Sequence, residues 1–380
     1  MKKILIIGDY CYPNYAGGSS KHVYDLMKNF PSELELKLIT RAKDRTSRYV
    51  ADDNDAEDEY RQWKQKGRVK ELGYLSIMNP FLYAKEIWMA TYLIVEHPVM
   101  GFWGSILGRL MGKKIIYHYH GPIHKEYLLM TGKKGIVYKL LWLLQKVTSY
   151  LSQKIIFHSD YMCDLACLEH GICCHKCTIL PPYIDVSQTD DNIHLPWEIN
   201  PQKINILIPR RLTARTGVVE FLEQFNSLKE EVQVKYEIFI TGVGELKDSV
   251  ERIAANNPQR IHYLGFISYK QLQCLYTKID SVVVPTLNLE GFGYIILEAL
   301  ACGSGVLVSK TCGGGFDFVS RHLGSQYTFD VRSLDEIEKA LEQIKTGSEV
   351  REHYKNIAKQ FSTSNMIRFY TEKLLEIKIQ

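Results

Sequence analysis

No stretch of the 380-residue chain runs through the roughly 18 uninterrupted apolar residues that a membrane-crossing helix needs. Low-complexity tracts are also absent. With 46% hydrophobic and 24% charged residues the composition is that of a folded globular chain, which excludes a disordered, collagenous or disulfide-framework protein. The formal net charge is only +4, too small for a domain-wide nucleic-acid footprint, so no nucleic acid is expected as a partner. The N-terminus, MKKILIIGDY, reaches Asp9 after a very short apolar run and does not read as a signal peptide. The nine cysteines, an odd number, are then expected to be reduced thiols of a cytoplasmic protein. No G-x-G-x-x-G follows the first strand, so nicotinamide binding is not read from it.

What is present is a strand–loop–helix unit repeated along the chain. Ile4–Ile7 is a continuous apolar run, as expected for a strand buried on both faces of a parallel sheet. A turn-rich loop follows, and then Val23, Leu26, Met27 and Phe30 recur at helical spacing up to Pro31. Leu36–Thr40, Tyr92–Val95, Ile115–His118 and Ile155–His158 read as further strands. After a polar stretch from Asp185 to Lys203 the alternation restarts at Ile204–Ile208. It continues through Glu237–Thr241, Ile261–Leu264, Ser281–Pro285 and Val306–Ser309. Length and pattern together predict an α/β chain of two Rossmann-like domains, the first about 1–184 and the second about 185–361.

Two glycine loops carry chemistry. Gly17 and Gly18 stand between the first strand and its helix, where a close backbone and free N–H groups favour an anion. A plain glycine turn explains the pair equally well. The second loop is Glu290-Gly291-Phe292-Gly293-Tyr294, which leads into the apolar helix that carries Glu298. Glu290 falls at the carboxyl edge of the second sheet, where open α/β folds bind ligands. Glu298 sits among Ile295, Ile296, Leu297, Ala299 and Leu300 and therefore needs a polar partner. A ribose diol would serve.

EGFGYIILEALACGSGVLVSK resembles the signature of the retaining GT-B glycosyltransferases of family 4, with its two glutamates eight positions apart. YAGGSSKHVYDL, YHYHGP, HSDYMCDLACLEHGI, RRLTARTGVVEFLEQF, FITGVGELKDSV and IHYLGFISYKQL resemble further units of that family in the same order. The resemblance implies two domains facing across a cleft, with a C-terminal helix (about 362–380) returning to the first. It implies a nucleotide-sugar donor and a carbohydrate or lipid-linked acceptor. Glu298 would hold the ribose, Glu290 the donor sugar, and the Gly291–Tyr294 amides (through Phe292 and Gly293) sugar or phosphate. Arg211 would bind the diphosphate, while Gly242, Phe266 and Ile267 would line the phosphate and base region. Gly17, Gly18 and His120 would close from the first domain. Glu290, His120 and Arg211 are thus the expected catalytic residues. The family's chemistry proceeds on the face of the leaving group, whose phosphate oxygen takes the acceptor proton. With no Asp-x-Asp in the second half, neither a metal nor another cofactor is expected.

The chain departs from the family pattern at Arg210-Arg211-Leu212 and at Arg215-Thr216-Gly217, where Thr216 stands at a lysine position and Arg215 offers a neighbouring charge. Two other features lie outside the resemblance. Cys163, Cys167, Cys173, Cys174 and Cys177 cluster with His170 and His175. Soft thiolates beside imidazoles could bind zinc, but the spacing matches no site built of paired C-x2-C units, and Cys163 and Cys167 are placed as core-facing helix residues, so reduced structural thiols are expected and a metal is the alternative. Across 109–154, nine basic residues face one acid, Glu126, and KKGIVYKLLWLLQKVTSYLSQK has the composition of an interfacial helix. That stretch either packs on its own domain or makes a peripheral contact with the cytoplasmic face of a membrane. A transferase of cell-surface polysaccharide or glycolipid assembly is the function expected. A nucleotide-sugar epimerase and a catalytically silent sugar-nucleotide-binding subunit are the alternatives.

Overall fold

The computed structural model describes residues 2–15, 18–42, 54–73, 78–184 and 195–375. The chain divides into two compact units, Met1–Pro181 with Thr363–Gln380, and Pro182–Ser362.

The first unit is built on seven strands: β1 (Lys3–Ile7), β2 (Glu35–Arg41), β3 (Val69–Leu72), β4 (Tyr92–Val95), β5 (Lys114–Tyr119), β6 (Lys154–Phe157) and β7 (Cys177–Ile179). They form one parallel sheet in the order β3-β2-β1-β4-β5-β6-β7. The second unit holds β8 (Ile204–Pro209), β9 (Tyr236–Thr241), β10 (Ile261–Gly265), β11 (Ser281–Val284), β12 (Gly305–Ser309) and β13 (Thr328–Phe329). Their order, β10-β9-β8-β11-β12-β13, repeats the first six strands of the first unit. Both sheets are Rossmann-like, as the strand–helix alternation predicts. The reason is visible in the burial: Ile4–Ile7, Leu93–Val95, Ile206–Ile208 and Val282–Val284 are covered on both faces by helices.

In this order the chain reverses direction across the sheet between β1 and β4, and again between β8 and β11. A crevice opens at the carboxyl ends of the strands at such points. Helix Pro98–Leu110 crosses closely over β1 and β4, because Gly101, Gly104 and Gly108 face Val95, Ile7 and Leu93.

The C-terminal segment packs in the first unit. Helix Thr363–Phe369 continues as a π-turn, Tyr370–Leu374. Tyr370 lies against Phe30 and the His118 ring, and Tyr92 Oη donates to the Leu375 carbonyl at 2.7 Å. Within the second unit, Ile184 pairs with Ser362, so the two chain segments leading to the first unit run side by side. Among the described residues no helix is long and apolar enough to cross a membrane.

Candidate functional site

In the second unit, β8 delivers Arg210 and β11 delivers Glu290, one to each side of the reversal point. The Arg210 amide is fixed by the Thr241 carbonyl at 3.0 Å. Its side chain is only 9% exposed, and Nη2 donates to Glu290 Oε2 at 2.5 Å and to Thr286 Oγ1 at 2.8 Å. Leu289 sets the approach of Glu290 by adopting φ of +51°, unusual for a branched side chain. Its carbonyl accepts from Arg215 Nη1 at 2.8 Å, which leaves that guanidinium 3.8 Å from Glu290. Burial alone would raise the Glu290 pKa. Arg210 first, then Arg215, reverse this and hold the carboxyl below its ordinary value. Burial likewise opposes the charge on Arg210, and Glu290 restores it, so its pKa lies above the ordinary value. Two guanidiniums against one carboxylate leave a surplus positive charge at the crevice.

The backbone around this pair is cut close. A Cβ on Gly217 (φ +67°) would lie 2.0 Å from the Pro285 carbonyl oxygen. One on Gly242 (φ +131°) would lie 2.0 Å from that of Arg210. Gly293 ends the loop and caps helix Tyr294–Ala301, the range the sequence predicts. Gly291 and Tyr294 are half-buried there, whereas Phe292 is buried edge-on to Phe318. Glu298, one turn further, accepts from the buried Tyr276 hydroxyl at 3.2 Å, so it has a protein partner where a ribose was anticipated. Burial first, and then Glu298, push the Tyr276 hydroxyl well above its usual pKa, so it stays a donor.

The remaining predicted donor-side residues divide. Arg211 is exposed beside its buried neighbour Arg210. Thr216 is 1% exposed, and its hydroxyl lies 2.7 Å from the carbonyls of both Arg211 and Thr213. It caps the turn that carries Arg215, and its side chain does not point out of that turn. Gly242 is hydrogen-bonded to Gly265, after which Phe266 is exposed and Ile267 buried. A separate cavity of about 690 Å³, lined by Trp197, Asn205 and Asp280 among others, opens at the amino ends of β8 and β11, away from these groups.

In the first unit, Gly17 lies outside the described residues, and Gly18 starts helix Gly18–Asn29 as an exposed residue. His120 follows β5, and its Nε2 is 2.8 Å from Oε2 of Glu96, the residue after β4. Glu96 is buried amid imidazoles, with His22 Nε2 at 3.6 Å and His118 Nδ1 at 3.6 Å. The ring of His158, at the end of β6, lies 5.3 Å from that of His120. Tyr370 hydrogen-bonds His118, and the Leu180 carbonyl fixes Nδ1 of His158 at 3.1 Å. Burial lowers His118 well below its ordinary value and His158 to about 3, so both rings are neutral. Burial would raise Glu96, but His118, His22 and the hydrogen bond from His120 hold it well below the usual carboxylate range. Glu96 thereby orients His120 as a carboxylate orients a working imidazole.

Of the residues that the sequence singles out, Glu290 and His120 lie in these two clusters and Glu298 lies on the neighbouring helix, while Arg210, Thr286, Glu96, His22, His118 and His158 join the clusters without having been named as site residues. Histidines at the ends of two adjacent strands, with an acid at the end of a third, were the available signal. Among the described residues, three groups of side chains lie near enough to hold an ion: His22/His118/His158, Glu96/His118/His120 and Cys163/Cys167/Cys177. The first two are contained in the hydrogen-bonded network just described.

Comparison with known proteins bears on the whole described arrangement. The profile of the family described as Glycosyltransferase Family 4 matches residues 16–188, and that described as Glycosyl transferases group 1 matches 189–361. An uncharacterized glycosyltransferase of Methanocaldococcus jannaschii is 25% identical over 248 residues, 60% of this chain and 61% of that one. The N,N'-diacetylbacillosaminyl-diphospho-undecaprenol alpha-1,3-N-acetylgalactosaminyltransferase of Campylobacter jejuni is 27% identical over 197 residues, half of each chain. The chain thus spans about 60% or less of these curated relatives' lengths. Among solved structures, Anabaena HepE in complex with UDP and glucose superposes with a TM-score of 0.70 at 14% identity, covering 99% of this chain and 100% of that one. The lipopolysaccharide outer core galactosyltransferase WaaB in its apo form gives 0.70 at 11%, covering 99% of each. These likenesses at low identity establish the GT-B fold. With the two family profiles matching successive segments from 16 to 361, the chain belongs to the group 1 glycosyltransferases of GT-B fold.

Proposed function

We propose that this protein is a retaining glycosyltransferase that moves a hexose-type sugar from a nucleotide-sugar donor to an acceptor hydroxyl, in the assembly of a cell-surface polysaccharide or glycolipid. The observation that carries the reading is the Arg210–Glu290–Arg215 cluster at the β8/β11 reversal, beside the glycine-capped helix Tyr294–Ala301. A departing nucleoside diphosphate develops negative charge. Fixed guanidiniums, backbone N–H groups and a helix N-terminus stabilise such charge without a strong acid. Glu290, held ionised, is suited to accept hydrogen bonds from sugar hydroxyls. Arg211, exposed beside the pair, lies where it would meet phosphate. The leaving phosphate oxygen would take the acceptor proton, so no metal or other cofactor enters the reaction.

The acceptor side is assigned to the first unit, with His120 held by Glu96. That unit also carries an exposed apolar and basic surface. Met130 and Ile136 are 84% and 79% exposed, Leu140 and Leu143 about half, and Lys133, Lys134, Lys139 and Lys146 are exposed among them. Such a surface fits the headgroup region of an anionic leaflet and a lipid-linked acceptor. The relatives include an enzyme named for a diphospho-undecaprenol acceptor, which supports this reading.

The test is a binding and turnover screen against UDP-, GDP- and ADP-sugars, with the anomeric configuration of the product read by NMR. Glu290→Gln should lower transfer by on the order of 100-fold while donor binding changes only a few-fold. Absence of binding to any nucleotide sugar sinks the proposal, and an inverted anomer removes the word retaining.

A further inference from the structure

Eight of the nine cysteines fall into two populations, with Cys302, partly buried in the second unit, apart from both. Cys11, Cys274 and Cys312 are buried to 1% exposure or less and behave as small apolar core residues. Cys163, Cys167, Cys173, Cys174 and Cys177 lie within fifteen residues of sequence, and all are half-buried or exposed. Burial of apolar surface gives no reason for gathering thiols there.

The fold brings them together at one edge of the first unit. Cys163 and Cys167 are on successive turns of helix Asp160–His170, so they share a face. Cys177 is the first residue of β7, the edge strand, in register with Ile155 of β6. The sulfurs of Cys163, Cys167 and Cys177 lie within 4.8 Å of one another, and Cys167 Sγ is 4.0 Å from Cys177 Sγ. A disulfide needs about 2.05 Å. Thiolates at about 2.3 Å around a tetrahedral zinc ion stand about 3.8 Å apart, close to the spacing of these three sulfurs. The helical turn Cys174–Lys176 leads directly into Cys177, giving Cys174-His175-Lys176-Cys177, the C-x2-C spacing of a zinc knuckle. The helix supplies the other pair, as C-x3-C. A divalent cation takes the thiolates as ligands and displaces their protons on binding.

We propose that Cys163, Cys167 and Cys177, with Cys174 supplied from the adjoining exposed turn as the fourth ligand, form a structural tetrathiolate site for a soft divalent ion, zinc by ligand type and by the spacing of the three clustered sulfurs. Binding replaces four S–H protons by one metal ion and leaves no open coordination position, so the site takes no part in sugar transfer. It clips the three-residue strand β7 to its neighbouring helix just before the chain passes from the first unit to the second at Pro181–Pro182. This revises the reading of these residues as plain reduced thiols.

Tag-free protein, purified without chelator and then offered zinc, should carry one zinc per chain by mass spectrometry of metals. Cobalt(II) in its place should give the intense thiolate-to-cobalt charge-transfer absorption of a tetrahedral site. Cys167→Ser and Cys177→Ser should lose the metal, and Cys302→Ser should keep it. Should the first two fail to fold, Cys174→Ser, on an exposed turn, should bind zinc at least 10-fold more weakly. Chelator should lower the unfolding temperature of the wild type and leave Cys174→Ser unmoved. Metal-free protein whose four thiols alkylate as fast as Cys173 overturns the proposal, as does a Cys167–Cys177 disulfide in the intact mass.

Discussion

Glu96 and Glu290 occupy corresponding places in two sheets of the same strand order, each following the strand beside the direction reversal, yet their surroundings are opposite. Glu96 is surrounded by imidazoles, of which His118 and His158 are kept neutral, and no lysine or arginine pairs with it among the described contacts. Glu290 is clamped by Arg210 and approached by Arg215. An imidazole network can exchange protons and orient one ring. A network of fixed guanidiniums can only hold charge in place. One scaffold thus offers a proton-exchanging edge and a fixed cationic edge, the division of labour that the proposed transfer would use.

The largest expected effect comes from breaking the backbone of one edge and not the other. Gly242→Ala puts a Cβ at 2.0 Å from the Arg210 carbonyl oxygen at φ +131°, where neither the backbone nor its neighbour can yield. It should destabilise the second unit by about 4 kcal/mol or more. Gly104→Ala in the first unit meets Ile7 Cδ1 at 2.4 Å, the flexible end of a side chain that a rotamer change removes. Its cost should stay within about 1–2 kcal/mol, since crowding is partly offset by the helix propensity of alanine. Urea unfolding of both variants checks this. Equal losses would mean that the glycines of the second edge are no more constrained than those of a helix crossing.

A second effect separates the two edges by the pH window in which acid acts on them. His158 titrates near 3 in the folded protein and at about 6.5 when unfolded, and His118 is shifted the same way. Between those values the unfolded chain binds more protons, so stability falls as pH falls, by about 1.4 kcal/mol per unit for each such histidine. The Glu290 contribution runs on a lower window. Its folded pKa is depressed, so it is fully present above the ordinary 4.5 and lost only as pH drops through the folded value. The first unit should therefore unfold at higher pH than the second. Four of the five tryptophans (Trp63, Trp88, Trp103 and Trp142) report on the first unit, and only Trp197 on the second. Tryptophan fluorescence should change before far-UV ellipticity on acidification. Superimposed transitions would remove the distinction.

How much of this was legible follows the range of the interactions. Central strands such as Ile4–Ile7 and Ile204–Ile208 announce themselves because burial on both faces makes a continuous apolar run. Val69-Lys70-Glu71-Leu72, Cys177–Ile179 and Thr328–Phe329 were missed because short strands at sheet edges carry no such run. EGFGYIILE is local, so its helix and both glutamates could be placed. Choosing between Arg210 and Arg211 required the chain's path after Pro209. Only the structure shows that the first turns inward and the second outward. The Glu96 cluster draws on helix Gly18–Asn29 and three strand ends, and no spacing in sequence encodes that meeting.

The smallest effect per residue tests whether the two units also differ in what they meet outside. On the first unit, exposed Met130, Ile136, Leu140 and Leu143 lie among Lys133, Lys134, Lys139 and Lys146, and Lys146 sits 4.7 Å over the Trp142 ring. The second unit exposes fewer large apolar side chains among its described residues, Val234 and Phe266. Each lysine near an anionic leaflet contributes about 1 kcal/mol, so the Lys133→Glu/Lys134→Glu pair should weaken binding to vesicles containing anionic lipid by at least about 30-fold. The reversed charges lie at an exposed turn and should leave stability within about 0.5 kcal/mol. Raising the salt concentration should reproduce part of the loss, because surface attraction is screened over about 8–10 Å. Vesicle binding that is absent in the wild type, or unchanged in the variant, would assign this lysine-rich face to solvent and leave the proposed acceptor reading resting on the Glu96–His120 pair alone.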